Sequence, residues 1–287
     1  MKCNMCPKNC NVTRDKFIGN GFCNMGHYPK IARIAPHFDE EPIISGTKGS
    51  GAIFFCGCNL KCIYCQNYQI SCQDTGRYIE PRELTAEIIR LETLGVHNID
   101  FITGSHYVDI VKECLNYYTP KIPTIYNTSS YDKVEKIKDL NGYINVYLPD
   151  FKYSDDNLAK KYSNCDNYKE TSLKAIEEMI KQVGKIELNE DGTIQKGVLI
   201  RHLVLPGHTK NSIDALKLIY DNFGNDIKIS LMSQYMPSFK ASSYDINRKI
   251  TKREYEKVLN VVEELGFHGY MQELCSSDDK YIPNWDY

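Results

Sequence analysis

From about residue 51 onward, short apolar runs alternate with longer amphipathic segments. Most of six such runs are apolar on both faces and rich in Ile, Val, Phe and Tyr, which is typical of strands in a sheet covered on both sides. The predicted strands are residues 52–56, 98–103, 123–127, 144–151, 197–205 and 227–235. Helices are predicted over about residues 81–94, 107–117, 131–139, 168–182, 211–223 and 251–265.

Six strand–helix units without the pattern of a second sheet predict an α/β fold, an open, partial (β/α)6 barrel of the TIM type. Residues 1–50 do not follow this rhythm, because they combine four cysteines with Gly19, Gly21 and Gly26 and have few periodic apolar positions. We therefore predict a small Cys-rich N-terminal module over residues 1–50, the barrel over 51–275 and a polar C-terminal tail over 276–287.

Charge and hydropathy exclude some classes of partner. The formal net charge is -2 and no basic block occurs, so a nucleic-acid partner is not indicated. No apolar run approaches the roughly 18 residues that span a bilayer, and the first residues lack the apolar stretch of a signal peptide. We expect a cytoplasmic protein with neither a membrane nor a nucleic acid as partner.

The cysteine content is unusual for such a protein. Eight of the twelve cysteines lie within the first 65 residues. Because cytoplasmic thiols stay reduced, this crowding indicates metal binding rather than disulfides.

Cys58, Cys62 and Cys65 form a C-x3-C-x2-C motif directly after the first predicted strand. Thiolates are soft ligands that suit iron–sulfur clusters, and three of them leave one iron of a [4Fe-4S] cluster open to another ligand. In a barrel, the loop after a strand lies at the carboxyl end, where active sites are usually built. On spacing alone, the alternatives are part of a zinc site and a chance arrangement in a Cys-rich chain.

With Tyr64 before its third cysteine, this motif resembles the signature of the radical S-adenosylmethionine (SAM) superfamily. Cys65-Gln66-Asn67 is similar to the C-H-N of pyruvate formate-lyase activating enzymes. The resemblance runs from residue 1 to about 265 and is closest to an uncharacterised activating-enzyme-like branch. Its further motifs are Cys6-Pro7, Tyr126-Asn127-Thr128, YLPDFKY over 147–153 and RHLVLPG over 201–207.

The resemblance implies an oxidoreductase that reductively cleaves SAM to methionine and a 5'-deoxyadenosyl radical, which abstracts hydrogen from a substrate. Cys58, Cys62 and Cys65 would bind the [4Fe-4S] cluster, while no catalytic residue is identified. The residues matched to SAM binding are Tyr64, Asn67, Asp150, Lys152, Arg201 and Gln234. Tyr64 is expected to face the adenine, and Lys152 the SAM carboxylate. The plainer alternatives are a packed aromatic at Tyr64 and a surface ion pair between Asp150 and Lys152.

Two departures from the family pattern bear on the substrate. Thr103-Gly104-Ser105-His106 stands where activating enzymes carry G-G-E-P, so backbone carbonyls or Ser105 are left to meet the SAM amino group. His106 is interpreted as a helix-capping residue, with a substrate-side position as the alternative. Gln234 lies in the segment that replaces L-P-Y-H and is expected near the ribose. These changes indicate a substrate other than pyruvate formate-lyase.

The N-terminal cysteines Cys3, Cys6, Cys10 and Cys23 form a second set with the spacing C-x2-C-x3-C-x12-C. A module with so little core could be held by Zn2+. A second iron–sulfur cluster and a segment without metal are the other two interpretations, and the sequence leaves all three open.

Three functions are therefore compatible with the sequence. The first is an activase whose substrate is a glycine on a partner protein, with a flavodoxin- or ferredoxin-type electron donor. The second is a radical SAM enzyme that acts on a small molecule or another peptide. The third, from a different class, is a non-catalytic iron–sulfur or zinc-binding protein.

Overall fold

The structure is a computed structural model that describes residues 2–73 and 75–274; residues 1, 74 and 275–287 lie outside it. The described strands are β1 (Lys30–His37), β2 (Ser50–Phe55), β3 (Arg77–Tyr78), β4 (Ile99–Ile102), β5 (Thr124–Thr128), β6 (Val146–Pro149), β7 (Glu187–Leu188), β8 (Ile194–Leu203), β9 (Lys228–Met232) and β10 (Gly269–Met271). The described helices are α1 (Pro42–Ser45), α2 (Tyr68–Cys72), α3 (Pro81–Thr93), α4 (Val108–Tyr117), α5 (Val134–Asp139), α6 (Asp156–Ser163), α7 (Tyr168–Val183), α8 (Thr209–Phe223) and α9 (Lys252–Glu264).

The strands form one sheet in the order β10-β9-β8-β6-β5-β4-β2-β1-β3, with β7 paired to β8. Every neighbouring pair from β2 to β10 is parallel, whereas β1 runs antiparallel to β2 and to β3. This order leaves β10 and β3 as separate edges of the described sheet. The predicted α/β fold with an open barrel is confirmed, and all six predicted strands and the helices between them are present.

Four of the described strands were not predicted, namely β1, β3, β7 and β10, and of these β3 and β7 have two residues each. β10 has three residues, too few to give a periodic signal, and it adds a seventh parallel strand beside β9. β1 lies in the segment predicted to have few periodic positions, because Lys30, Arg33 and Pro36 interrupt its apolar pattern. It pairs with β2 over most of its length. The division of the chain at residue 50 stays a prediction, and the predicted tail 276–287 lies outside the described residues.

Two apolar clusters flank the sheet. The larger lies between the strands and the surrounding helices, and includes Phe55, Phe101, Tyr126 and Tyr147. The smaller lies inside the barrel and consists of Ile43, Ile44, Ile125, Val146, Leu148, Ile194 and Leu199. Several of these residues stand at the starts of their strands. Because Ile43 and Ile44 of α1 pack against them, α1 closes the amino-terminal end of the barrel.

Strand alternation places a polar layer above this inner apolar cluster. Residues two apart on a strand share a face, so Asn127 follows Ile125, Asp150 follows Leu148 and Arg201 follows Leu199. Each step moves toward the carboxyl ends of the strands, where the loop with the first cysteine motif begins. No helix in the described part of the chain is both long and apolar enough to cross a membrane.

Candidate functional site

The loop after β2 brings Cys58, Cys62 and Cys65 to one cleft of about 250 Å³ at the carboxyl end of the strands. Gly57 and Lys61 adopt left-handed φ angles of 78° and 50°, which let the loop turn back on itself. A Cβ atom on Gly57 would lie 2.5 Å from the Cγ atom of Met25, so glycine is required there. Within the described residues, no fourth cysteine lines this cleft.

Each of the three sulfur atoms accepts a hydrogen bond. The donors are the Leu60 N–H to Cys58 at 3.3 Å, the Ser163 hydroxyl to Cys62 at 2.9 Å and the Ser71 hydroxyl to Cys65 at 3.4 Å. Such bonds stabilise thiolates and adjust the reduction potential of a bound cluster. The donor set therefore fits an iron–sulfur cluster with one iron left open.

Burial keeps these thiols protonated when no metal is bound. It raises the pKa of Cys58 and Cys65 above their usual range and that of Cys62 to about 11, although the Lys152 ammonium opposes the rise at Cys62. Iron binding must therefore displace protons, and loading will depend on pH.

The residues that the sequence matched to SAM binding come together in this cleft. They arise from three different strand ends and from the cysteine loop, yet all line the same space: Tyr64, Asn67, Asp150, Lys152, Arg201 and Gln234. Their roles toward SAM stay predictions. Asp150 and Lys152 form an ion pair at 2.7 Å with side chains 14% and 16% exposed, so the alternative of a surface ion pair is wrong.

Arg201 is the centre of a buried polar network. Its Nε donates to Asp150 Oδ1 at 2.8 Å, its Nη1 to Glu40 Oε2 at 2.9 Å and its Nη2 to Asn127 Oδ1 at 2.6 Å. The Arg201 and Lys152 charges hold the pKa of Asp150 below its usual value despite burial. A buried guanidinium with this many partners is fixed in orientation.

Glu40 and Asp100 were not identified from the sequence. Burial raises the pKa of Glu40 to about 7 against the pull of Arg201, and burial together with Glu40 raises that of Asp100 well above its usual value. Neither carboxylate oxygen of Asp100 has a hydrogen-bond partner among the described residues. The only sequence signal was an acidic residue inside an apolar strand at Asp100; Glu40 has none.

Tyr64 is buried in the cleft wall, and its contact with the adenine stays a prediction beside the packing alternative. Its hydroxyl lies 2.7 Å from that of Tyr153, which lies 2.7 Å from that of Ser163, the donor to Cys62. The ring is 6% exposed and lines the cleft. A chain of three hydroxyls thus joins the cleft wall to a cysteine of the motif.

Gln234 and Asn67 lie on opposite loops of the cleft. The Gln234 carbonyl accepts from Gln66 at 3.0 Å, and its side-chain oxygen accepts from Gln272 at 2.9 Å. Asn67 is the N-cap residue of α2 without a side-chain capping bond. Both amides line the cleft.

The segment after β4 differs from expectation. Ser105 is fully buried and lies 3.3 Å from the Thr128 hydroxyl, so Thr103 lines the cleft in its place. His106 is neither a helix cap nor a cleft residue: Tyr107 is the N-cap of α4, and His106 Nε2 lies 2.8 Å from the Cys56 carbonyl oxygen. His106 instead lines a second cavity, beside the N-terminal cysteines.

A family model described as "Radical SAM superfamily" matches residues 52–219. An uncharacterised protein of Methanocaldococcus jannaschii, MJ0674, is 32% identical over 274 residues, which cover 91% of this chain and 74% of that protein. The chain belongs to the radical SAM superfamily, whose members use a [4Fe-4S] cluster and SAM.

Solved structures agree with the fold. The FeFe-hydrogenase maturase HydG from Carboxydothermus hydrogenoformans has a TM-score of 0.51 at 13% identity, with 79% of this chain and 54% of that one covered. Streptococcus suis SuiB bound to S-adenosylmethionine has a TM-score of 0.50 at 15% identity, with 75% and 48% covered. The chain spans about half the length of each solved chain, so their activities are not transferred to it.

Proposed function

We propose that this chain is a radical SAM enzyme of the activating type, which abstracts hydrogen from a glycine on a partner protein. One observation carries the proposal: the three cysteines and the Asp150, Lys152 and Arg201 side chains converge on one cleft that contains no fourth cysteine among the described residues. When bound, the [4Fe-4S] cluster supplies one electron that cleaves SAM to methionine and a 5'-deoxyadenosyl radical.

In this proposal the protein's own side chains bind and orient SAM. Lys152 offers its ammonium to the SAM carboxylate, and Asp150 fixes that ammonium at 2.7 Å. Arg201 holds Asp150 from the neighbouring strand, so the group nearest SAM is pre-oriented by buried contacts. The Tyr64 ring is placed to pack against the adenine, and Asn67 and Gln234 offer amides to the ribose.

The test is anaerobic reconstitution with iron and sulfide, followed by dithionite and SAM. We expect 5'-deoxyadenosine and methionine in equal amounts, and a change in the EPR spectrum of the reduced cluster when SAM is added. Cys62→Ala is expected to give neither, whereas Cys114→Ala, a buried cysteine outside the cleft, is expected to retain both. A reconstituted wild-type chain that binds no SAM would support the non-catalytic alternative and end the proposal.

The glycine target has its own test. A candidate partner protein is labelled with α-deuterated glycine and incubated with the reduced enzyme and SAM. Deuterium in 5'-deoxyadenosine and a glycyl EPR signal on the partner are expected. Turnover that depends on a small molecule, with no label transferred from protein, would contradict the activase function while preserving the radical chemistry.

One observation favours a small-molecule or peptide substrate as the second candidate. A further cavity of about 340 Å³ adjoins the cleft and shares Glu40, Arg201 and Gln234 with it. Asp39 and Glu41 also line this cavity, and Glu41 Oε2 is buried without a hydrogen-bond partner among the described residues. Arg201 balances Glu40, and the remaining carboxylates of Asp39 and Glu41 favour a substrate with a positively charged group. Stimulation of 5'-deoxyadenosine formation by cationic rather than anionic compounds would support this candidate.

A further inference from the structure

The four N-terminal cysteines line a single cavity, although up to twenty residues separate them. Cys3, Cys6, Cys10 and Cys23 all contribute to its wall, together with Asn59 and His106 from the barrel. Hairpin-like contacts bring them together: the Cys3 N–H donates to the Val12 carbonyl at 2.7 Å, and the Asn11 N–H donates to the Cys3 carbonyl at 3.0 Å. The chain thus places four thiols around one space.

Backbone N–H groups are directed at these sulfur atoms. The Phe22 N–H donates to Cys10 Sγ at 3.2 Å. Backbone hydrogen bonds from Lys8 and Met25 likewise reach Cys6 and Cys23. N–H donors to sulfur are the means by which loops stabilise thiolates that bind metals. Lys8 and Arg14 add positive charge to the same wall.

His106 gives an independent indication that a ligand belongs in this cavity. Its side chain is fully buried and lines the cavity, and Nε2 donates to the Cys56 carbonyl at 2.8 Å. In this tautomer Nδ1 carries a lone pair, and it has no hydrogen-bond partner among the described residues. A buried nitrogen without a partner is costly, so a group other than the described side chains is expected to contact it.

The segment also lacks the apolar core that would order it without a ligand. Over residues 2–28, the buried apolar side chains are Cys6 and Met25. Phe17 and Ile18 are exposed, at 43% and 65%. Small loop-rich units of this kind are commonly held by a metal centre, because the ligand bonds replace the missing hydrophobic burial.

The geometry distinguishes a cluster from a single ion. Within the described residues, no three Cys, His, Asp or Glu side chains are arranged to hold one metal ion. This applies to the four N-terminal thiols and equally to Cys58, Cys62 and Cys65. The N-terminal cavity measures about 10 Å³, which is about the volume of one water-sized sphere. Four thiolates bonded to one zinc ion at about 2.3 Å would enclose no cavity of this size, so the four thiols are spaced more widely than a zinc site requires.

We propose that Cys3, Cys6, Cys10 and Cys23 bind a second iron–sulfur cluster of the [4Fe-4S] type, packed against the back of the loop that holds the first. The two loops are in direct contact, since a Cβ atom on Gly57 would lie 3.1 Å from the Cys23 carbonyl oxygen. All four corners of this cluster have protein ligands, which leaves no open iron for SAM.

The test uses a chain whose first cluster has been removed: Cys58→Ala, Cys62→Ala and Cys65→Ala combined, purified and reconstituted without oxygen. We expect about four iron and four sulfide per chain, with the Mössbauer spectrum of a [4Fe-4S] cluster. Adding Cys6→Ala and Cys10→Ala is expected to remove this iron. Zinc alone, no metal, or iron that survives the additional substitutions would each overturn the proposal.

Two controls keep the outcome readable. Circular dichroism reports whether the triple variant is folded. If it is not, the iron content of the reconstituted wild-type chain is measured instead. About eight iron atoms per chain are then expected, and about four would contradict the proposal. Cys165→Ala is the second control, because it removes a buried thiol that belongs to neither set of cysteines. The triple variant cannot cleave SAM in any case, so this result does not depend on whether the proposed enzymatic function is correct.

Discussion

The barrel cleft and the N-terminal segment both gather cysteines, but they use different structural means. In the cleft, one loop carries the cysteines and strand ends carry the charged side chains. Buried charges there are balanced by other side chains, as Arg201 is by Asp150 and Glu40. In the N-terminal segment, loops deliver the thiols, and Arg14 is balanced by the backbone carbonyls of Met25 and His106 at 3.0 and 2.8 Å. The strands that carry the charged cleft residues were predicted from sequence periodicity, whereas the N-terminal loops offered only the spacing of their cysteines.

The largest expected difference between the regions is in activity. Cys62→Ala is expected to reduce SAM cleavage to background, because the first cluster loses a ligand. Cys6→Ala is expected to lower the melting temperature, because the N-terminal segment loses a bond that replaces a core. 5'-Deoxyadenosine formation and thermal unfolding, measured on both variants, check this contrast. Equal loss of activity with unchanged melting temperature would show that the two regions are not separable in this way.

Replacing Arg201 in the cleft and Arg14 in the N-terminal segment is expected to lower the free energy of unfolding by different amounts. Arg201→Met leaves the buried Glu40 without a cationic partner and Asp150 with Lys152 alone, and we expect a loss of about 3–5 kcal/mol in the free energy of unfolding. Arg14→Met leaves neutral carbonyls without a partner, and a smaller loss of about 1–3 kcal/mol is expected. Urea unfolding of the two variants measures both values. Lys185→Met, which breaks an exposed pair with Asp226, provides the control at under about 1 kcal/mol.

The pH dependence of stability is expected to reflect the buried Glu40 of the barrel cleft. The pKa of Glu40 is raised to about 7 by folding, so the folded state binds more protons than the unfolded state between about pH 4.5 and 7. Stability contributed by this group is therefore greatest at low pH and falls as the pH rises through that window, by at most about 1.4 kcal/mol per pH unit. Buried histidines act in the opposite direction below about pH 6.5.

Comparing wild type with Glu40→Gln isolates this contribution, since the histidines are common to both chains. The variant is expected to lose less stability than wild type between pH 5.5 and 7.5 in urea unfolding. Parallel curves for the two chains would mean that Glu40 does not hold the proton.

The smallest expected effect concerns the cluster itself. Ser163 donates to Cys62 Sγ at 2.9 Å, so Ser163→Ala is expected to shift the reduction potential of the first cluster to a more negative value without loss of iron. A redox titration followed by EPR measures the shift. Ser172→Ala, a buried serine on α7 without a sulfur contact, is the matched control. An unchanged potential in Ser163→Ala would remove the hydrogen bond as a cause.

Most of the fold could be predicted because buried parallel strands are apolar on both faces, as in Val146–Pro149. β1 and β10 were missed because their pairing, rather than their own pattern, makes them strands. The motif cysteines and Asp150, Lys152 and Arg201 could be matched by local sequence. Glu40 could not be predicted, because its partner Arg201 lies 161 residues away and the sequence around neither residue indicates the contact. His106 was wrongly interpreted as a helix cap because the predicted helix begins next to it.

Gly57 shows how closely the two regions are joined. Its backbone leaves no room for a Cβ atom against the side chain of Met25, which carries the Sδ atom 3.1 Å from that position. Oxidation of Met25 would add an oxygen and polarity at this contact. The displaced thioether would press on the residue next to Cys58, so damage in the N-terminal segment would be transmitted mechanically to the first cysteine of the barrel cleft.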